Sequence, residues 1–81
     1  MTVDVRFFAS LADAVGDSRL RVELPDGADV TQLWDRLRER YPALDRANVR
    51  PLVACDMEYA GWDAPLDGVA EVAFLPPFSG G

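Results

Sequence analysis

Apolar and polar residues alternate with a period of two along the first residues of the chain, which is the pattern of a strand with one buried face. The predicted strand covers 2–9, and its inward positions are Val3, Val5 and Phe7. Phe8 departs from the pattern, because it falls on the face that also carries Asp4 and Arg6. A large apolar side chain there is either covered by another element or part of a docking patch.

Other stretches show the composition of strands, rich in apolar and β-branched residues and bounded by turn residues. In 51–57 the alternation puts Val53, Cys55 and Met57 on one face. The run from Val69 ends at Leu75, before two prolines that cannot continue a ladder. The predicted strands after the first are 19–24, 51–57, a short edge strand at 58–62, and 71–75.

The clearest helix is predicted over 29–41. Asp29 can cap it with Gln32 three residues later, a capping-box spacing, and Pro42 closes it. Its apolar stripe consists of Val30, Leu33, Trp34, Leu37 and Tyr41. A short helix is predicted over 10–15, with Ser10 as a possible N-cap and Gly16 as its stop, and 43–50 is predicted as a loop.

This order of elements has few solutions for one small sheet. A hairpin-like first pair, a right-handed crossover through the long helix and a last strand beside the first give a mixed sheet with the helix on one face. The predicted fold class is therefore α+β, a single-domain β-grasp of the ubiquitin-like kind. We expect the domain to cover 1–75 and a flexible diglycine tail to cover 76–81.

Charge and composition exclude several functions. A net charge of −6 argues against nucleic acid, whose phosphates require a basic patch. One cysteine, Cys55, and no histidine leave no cluster of metal ligands and no internal disulfide, so the metal prediction is none and a reducing cytoplasm is expected. No apolar run approaches the length of a membrane span, and the N-terminus lacks the apolar core of a signal peptide.

The C-terminal residues carry the candidate chemistry. Pro76 and Pro77 hold the backbone near polyproline II, and the residues that follow are Phe78, Ser79, Gly80 and Gly81. Glycines lack a Cβ, so this end can thread a narrow channel and deliver its α-carboxylate into another protein's pocket. A carboxylate is a poor electrophile and reacts only once it is made into an acyl derivative such as an acyl adenylate.

The chain resembles the MoaD-type sulfur carriers, the small subunits of molybdopterin synthase within the MoaD/ThiS family. The resemblance rests on the strand at 5–9 that leads into the 11–16 helix, on the helix start at 29–33, and above all on the terminal motif at 71–81. It spans nearly the whole chain. Asp56 is a departure, because family members tend to have an asparagine there.

The resemblance implies a carrier cycle for the Gly81 carboxylate. A MoeB-type, E1-like adenylyltransferase would adenylate it with ATP, and a sulfur donor would convert it to a thiocarboxylate. A MoaE-type large subunit would then receive the tail and pass the sulfur to a cyclic pyranopterin precursor. The binding residues that this implies are Phe8, Tyr59, Leu75, Pro76, Pro77, Phe78, Ser79 and Gly80, and the chain itself would bind no cofactor and catalyse nothing alone.

Three alternatives remain open at this point. The chain is a carrier for another pathway, of the thiazole type; or a ubiquitin-like modifier joined through Gly81 to lysines of targets; or a binding module whose tail is only an interaction peptide. All eight basic residues are arginine, so the chain cannot accept an isopeptide bond on a side chain of its own. Covalent activation of Gly81 separates the first two readings from the third.

Overall fold

Five strands and two α-helices make up the fold of this computed structural model, which describes residues 1–47 and 50–77. The strands are Thr2–Phe7 (β1), Arg19–Glu23 (β2), Leu52–Cys55 (β3), Glu58–Ala60 (β4) and Glu71–Leu75 (β5). The α-helices are Ser10–Val15 (α1) and Val30–Arg40 (α2), and a 3-10 helix covers Pro42–Ala47. This is the predicted α+β class, with one main helix.

The strands form one mixed sheet in the order β2-β1-β5-β3-β4. β1 pairs antiparallel with β2 and parallel with β5, and β5 pairs antiparallel with β3. The last strand therefore lies at the centre of the sheet beside the first, as the order of elements predicted. The connection between β2 and the far half of the sheet runs through α2, which covers one face.

The inward positions of the central strands form the core. Val5, Val72 and Phe74 are completely buried. The centre of the Phe74 ring lies 4.8 Å from the centre of the Trp34 ring on α2, so the sheet and the helix meet through aromatic side chains. Burying one such side chain contributes about 1.5 to 3 kcal/mol, which explains why the alternation in the sequence specifies this face.

The capping box predicted for α2 is present. The Asp29 side chain accepts the Gln32 backbone N–H at 2.9 Å, and the Gln32 side chain accepts the Asp29 N–H at 2.9 Å. The buried residues of the helix are Val30, Leu33, Trp34 and Leu37, and Tyr41 ends it as C-cap, half-buried. Pro42 follows at once, as the sequence indicated.

Ser10 is not the N-cap of α1, contrary to the sequence prediction. The cap position is Ala9, which has a φ of 51° and makes no side-chain hydrogen bond, and Ser10 is the first residue of the helix. The chain turns sharply at Ala9 because Phe8 still bonds to β5, through its N–H and the Phe74 carbonyl at 3.3 Å. Gly16 does end the helix, with a left-handed φ of 84°.

The prediction that Met57 shares a buried face with Val53 and Cys55 is wrong. The strand stops at Cys55, which pairs with Glu58, and the two residues between them form a tight turn. Asp56 and Met57 have φ values of 49° and 72°, and positive φ at both central residues is the pattern of a type I′ hairpin turn. The Met57 side chain is 92% exposed as a result.

The segment predicted as a loop, 43–50, instead begins as the 3-10 helix. Its first turn continues from α2, because the Leu44 N–H donates to the Tyr41 carbonyl at 3.0 Å. Leu44 is 2% exposed and fills the end of the core beside α1 and α2. Among residues 1–47 and 50–77, no helix has both the length and the apolar character needed to cross a membrane.

Replacing Asp29 by alanine should lower the free energy of unfolding by about 1 kcal/mol, because the Gln32 N–H loses its acceptor. Urea unfolding followed by circular dichroism measures this change. Glu39→Ala, at an exposed position of the same helix, is the matched control and should stay within about 0.5 kcal/mol of the parent. Equal losses in both variants would contradict the cap assignment.

Candidate functional site

The face of the sheet turned away from α2 carries the outward residues of four strands. We call it the open face, and its members around the centre are Arg6, Phe8, Ala54, Tyr59, Ala73 and Leu75. Strand register places Arg6 beside Ala73, Ala73 beside Ala54, and Ala54 beside Tyr59. One row of side chains thus crosses the sheet, with two alanines in its middle.

The small side chains in that row make the open face concave. A groove of about 260 Å³ lies over the alanines, and larger residues form its rim. The rim residues are Arg6, Phe8, Met57, Tyr59, Glu71 and Leu75. Exposed apolar surface of this kind, with a few polar groups around it, is typical of a protein-binding site.

Phe8, Leu75 and Tyr59, the positions implied by the family resemblance, lie on this one face. Phe7 pairs with Phe74 of β5, so Phe8 lies beside Leu75, the next residue of that strand. Both side chains are half-buried. Tyr59 is 71% exposed on the far side of the groove. The structure brings the three together, and their role in binding stays a prediction.

The tail begins at the rim of the groove. Pro76 and Pro77 follow Leu75 directly and are both half-buried against the domain. Phe78, Ser79, Gly80 and Gly81 lie outside the described residues, so their predicted roles stay predictions. The position of Leu75 nevertheless fixes where the tail leaves the sheet: from a central strand, beside the apolar groove.

Met57 was missed by the sequence analysis as a member of this site. The type I′ turn lifts its side chain to the rim, where it extends the apolar surface next to Tyr59. Turns of that type favour Asn-Gly and Asp-Gly, and the methionine in the second position hides this signal in the sequence. Ala54 and Ala73 were also missed, because the groove they create depends on register between strands far apart in the chain.

Arg6 ties two members of the rim together. Its guanidinium carbon lies 5.0 Å from the centre of the Phe8 ring, and its Nη1 atom lies 3.8 Å from a Glu71 carboxylate oxygen. The first contact is a cation–π interaction that holds the Phe8 ring against the sheet. The second contact pairs the positive charge of Arg6 with the negative charge of Glu71. The groove is therefore apolar in its centre and close to neutral at this part of its edge.

Asp56 joins the β3–β4 turn to the start of β5. Its Oδ1 atom accepts the N–H groups of Ala70 and Glu71 at 3.1 and 2.9 Å, and its own N–H donates to the Glu71 carbonyl. The Asp56 carboxylate therefore supplies the hydrogen-bond acceptor that holds the turn to β5. Its effect is to fix the entry of the strand that carries the tail.

Cys55 lies on the inward side of β3, half-buried against the core. Burial raises the pKa of its thiol, and the nearby Asp56 carboxylate raises it further. A raised pKa lowers the thiolate fraction and hence the nucleophilicity of the sulfur.

The described part of the chain also contains no group of three or more acidic, histidine or cysteine side chains placed to hold a metal ion.

Residues 5–81 match the family model described as "ThiS family". The chain belongs to the ThiS family. A relative from Caenorhabditis briggsae, named molybdopterin synthase sulfur carrier subunit, is 36% identical over 83 residues that cover all of this chain and 99% of that protein. The resemblance stated from the terminal motif is thereby confirmed.

Solved structures of similar proteins have the same fold as this ThiS-family chain. SAMP1 from Haloferax volcanii superimposes with a TM-score of 0.85 at 28% identity, over the whole of both chains. A chain in the complex of subunits 1 and 2 of the molybdopterin-converting factor from Helicobacter pylori superimposes with a TM-score of 0.66 at 23% identity, again over both whole chains. The ubiquitin-like β-grasp fold is confirmed.

The raised pKa of Cys55 predicts slow alkylation that begins at higher pH than in the unfolded chain. The rate of modification by iodoacetamide should rise with a midpoint at higher pH than the same protein shows in urea, because burial raises the pKa of the folded thiol. Because Cys55 is the only cysteine, intact mass reports this site alone. For the same reason, folding stability should fall as pH rises from the pKa of the unfolded thiol through the raised pKa of the folded one. A midpoint in buffer at or below that in urea would contradict this assignment.

Proposed function

We propose that this chain is the sulfur carrier subunit of a molybdopterin synthase and that the Gly81 carboxylate carries the sulfur. The observation that carries the proposal is the end-to-end match with the C. briggsae protein of that name. The geometry agrees with it, because the central strand delivers the tail beside an apolar groove on which a partner can rest while it takes up the tail.

The chemistry proposed for Gly81 needs two steps and a partner for each. In the first, the carboxylate attacks the α-phosphorus of ATP, pyrophosphate leaves, and an acyl adenylate forms. In the second, hydrosulfide released by a sulfur donor attacks the acyl carbon and expels AMP, which leaves a thiocarboxylate after loss of the proton. ATP and its binding groups belong to a MoeB-type activating partner, and this chain supplies recognition and the carboxylate.

The thiocarboxylate then acts as the nucleophile on a cyclic pyranopterin precursor held by a MoaE-type large subunit. The H. pylori complex of subunits 1 and 2 supports a partner of this kind, since the chain shares its fold along the full length. We place the cycle in the cytoplasm, because the single cysteine is unpaired and half-buried and suits a reducing compartment.

Two features favour a molybdopterin sulfur carrier over the alternatives. The terminal diglycine has no use in an apolar interaction peptide, whereas a channel that admits only Gly80 and Gly81 requires the absence of a Cβ. The names of the full-length relatives also favour the molybdopterin pathway over a thiazole-type carrier and over a modifier. The end point of the activated carboxylate, sulfur or a lysine, separates the carrier from the modifier.

Incubation of the protein with its activating partner, ATP and a sulfide source should replace one oxygen of Gly81 by sulfur. Intact-mass and fragment mass spectrometry measure the exchange and locate it. Gly81→Val should give no product, because a β-branched residue cannot enter the narrow channel, and its circular dichroism should match the parent. No exchange in the parent with a competent partner would refute the carrier proposal, whereas full exchange in Gly81→Val would refute the requirement for glycine at the tip. A lysine adduct instead of sulfur would support the modifier.

Replacing Phe8 by aspartate should weaken binding to the large subunit at least about tenfold, because a charge would enter the apolar rim of the groove. Isothermal titration calorimetry measures the affinity. Thr2→Asp is the matched control, since Thr2 is an exposed outward position of the same strand about 20 Å away. Its affinity should equal that of the parent. Equal weakening in both variants, or in neither, would show that Phe8 is outside the interface.

A further inference from the structure

The outer edge of β2 is a second surface, apart from the open face and the tail. β2 is the end strand of the sheet, and its neighbour is β1. Met1 and Leu24 exchange two hydrogen bonds of 2.7 Å, and the Phe7 N–H donates to Ser18 at 2.9 Å. In an antiparallel pair such bonds alternate, so Leu20 and Val22 also bond toward β1. The backbone groups of Arg19, Arg21 and Glu23 therefore point outward.

Two of these outward residues already have partners. The Arg19 N–H donates to an Asp17 carboxylate oxygen at 3.2 Å, and the Glu23 carbonyl accepts a hydrogen bond from Arg36 on α2 at 3.3 Å. Arg21 lies between these two residues. Within residues 1–47 and 50–77, neither its N–H nor its C=O has a backbone partner. One donor and one acceptor thus stand side by side at mid-strand, ready to pair with another extended chain.

A groove of about 310 Å³ runs beside this edge, between β2 and α2. Its floor is apolar and consists of Val22 and Leu37, both buried. Three arginines, Arg21, Arg36 and Arg40, stand around it with one acidic residue, Glu23. Counted together with Asp4, which pairs with Arg21, these side chains have a net charge of +1 on a chain whose net charge is −6.

The arginines make only weak interactions with other residues of the chain. Arg21 pairs with Asp4 at 3.1 Å at a site where its side chain is 76% exposed, and Arg40 lies over the Tyr41 ring at 5.4 Å. Exposed contacts of this kind contribute little and exchange readily for a better partner. Carboxylates on an incoming strand would be such partners, since arginine binds them with two parallel hydrogen bonds.

We propose that the β2 edge binds an extended acidic segment of a partner protein as an added antiparallel or parallel strand. The backbone of the segment would pair with Arg21, its apolar side chains would enter the groove over Val22 and Leu37, and its carboxylates would meet the arginines. A second copy of this chain fits less well, because antiparallel pairing of two β2 edges at Arg21 would set one Arg21 directly against the other. The edge lies two strands away from β5, so the site stays open while the tail is engaged.

The test uses the full protein labelled with nitrogen-15 and a capped peptide of about six residues that alternates valine and glutamate. On titration, amide chemical shifts should change along 19–23, and the Arg21 amide should gain protection from hydrogen exchange. Two control peptides should not bind: one with lysine in place of glutamate, and one with N-methyl groups on the pairing edge.

Variants separate the backbone from the charge contribution. Arg21→Pro removes the outward N–H without removing a bond to β1, and Arg21→Ala removes only the side chain, so the first should lose binding more completely. The double reversal Arg36→Glu and Arg40→Glu should weaken binding at least about tenfold. Arg50→Glu, an exposed arginine over the Trp62 ring, is the matched control and should bind as the parent does.

Four outcomes would overturn the proposal. They are no shift at millimolar peptide, shifts centred on Phe8 and Leu75 instead of 19–23, equal binding of the lysine peptide, and an equal loss in Arg50→Glu. If the double reversal also made the protein self-associate, the arginines would serve only to block pairing between copies. Gly81→Val should bind the peptide normally, so failure here is independent of the sulfur-carrier proposal.

Discussion

The pairing of β5 with both β1 and β3 is the interaction on which the rest of the structure depends. It joins the first and the last strand in parallel and closes the two halves of the sheet into one. The residues that β5 turns inward, Val72 and Phe74, are completely buried and meet α2. The residues that it turns outward, Ala73 and Leu75, form the middle of the open face. A single alternating strand therefore supports the core, the groove and the exit of the tail.

Local signals in the sequence were sufficient for most of the secondary structure. The alternation at β1 and β5 and the capping box of Asp29 and Gln32 each rest on interactions within a few residues, and each is present as predicted. The order of elements then allowed few topologies, and the observed one was among them. Phe8 was also noticed, because a large apolar residue on a polar face is visible in the alternation itself.

What the sequence analysis missed depends on backbone angles or on register. The positive φ values at Ala9 and Met57 occur in residues that seldom adopt them, so tertiary contacts impose them, whereas aspartate tolerates the positive φ at Asp56. They moved Ser10 out of the cap position and Met57 out of the core. The groove on the open face arises where Ala54 meets Ala73, and the free edge of β2 arises from which strand is last in the sheet. The local alternation of apolar and polar residues predicts neither the groove nor the free edge.

The neighbouring positions of Phe8 and Leu75 have a consequence for how a partner selects this protein. The two residues are separated by nearly the whole chain, and they lie side by side only when β5 has docked against β1. Any protein that grips both at once binds the closed sheet and ignores chains that are unfolded, truncated or still incomplete. The open face is thus also a proof of correct folding, presented where β5 ends and the chain leaves the sheet.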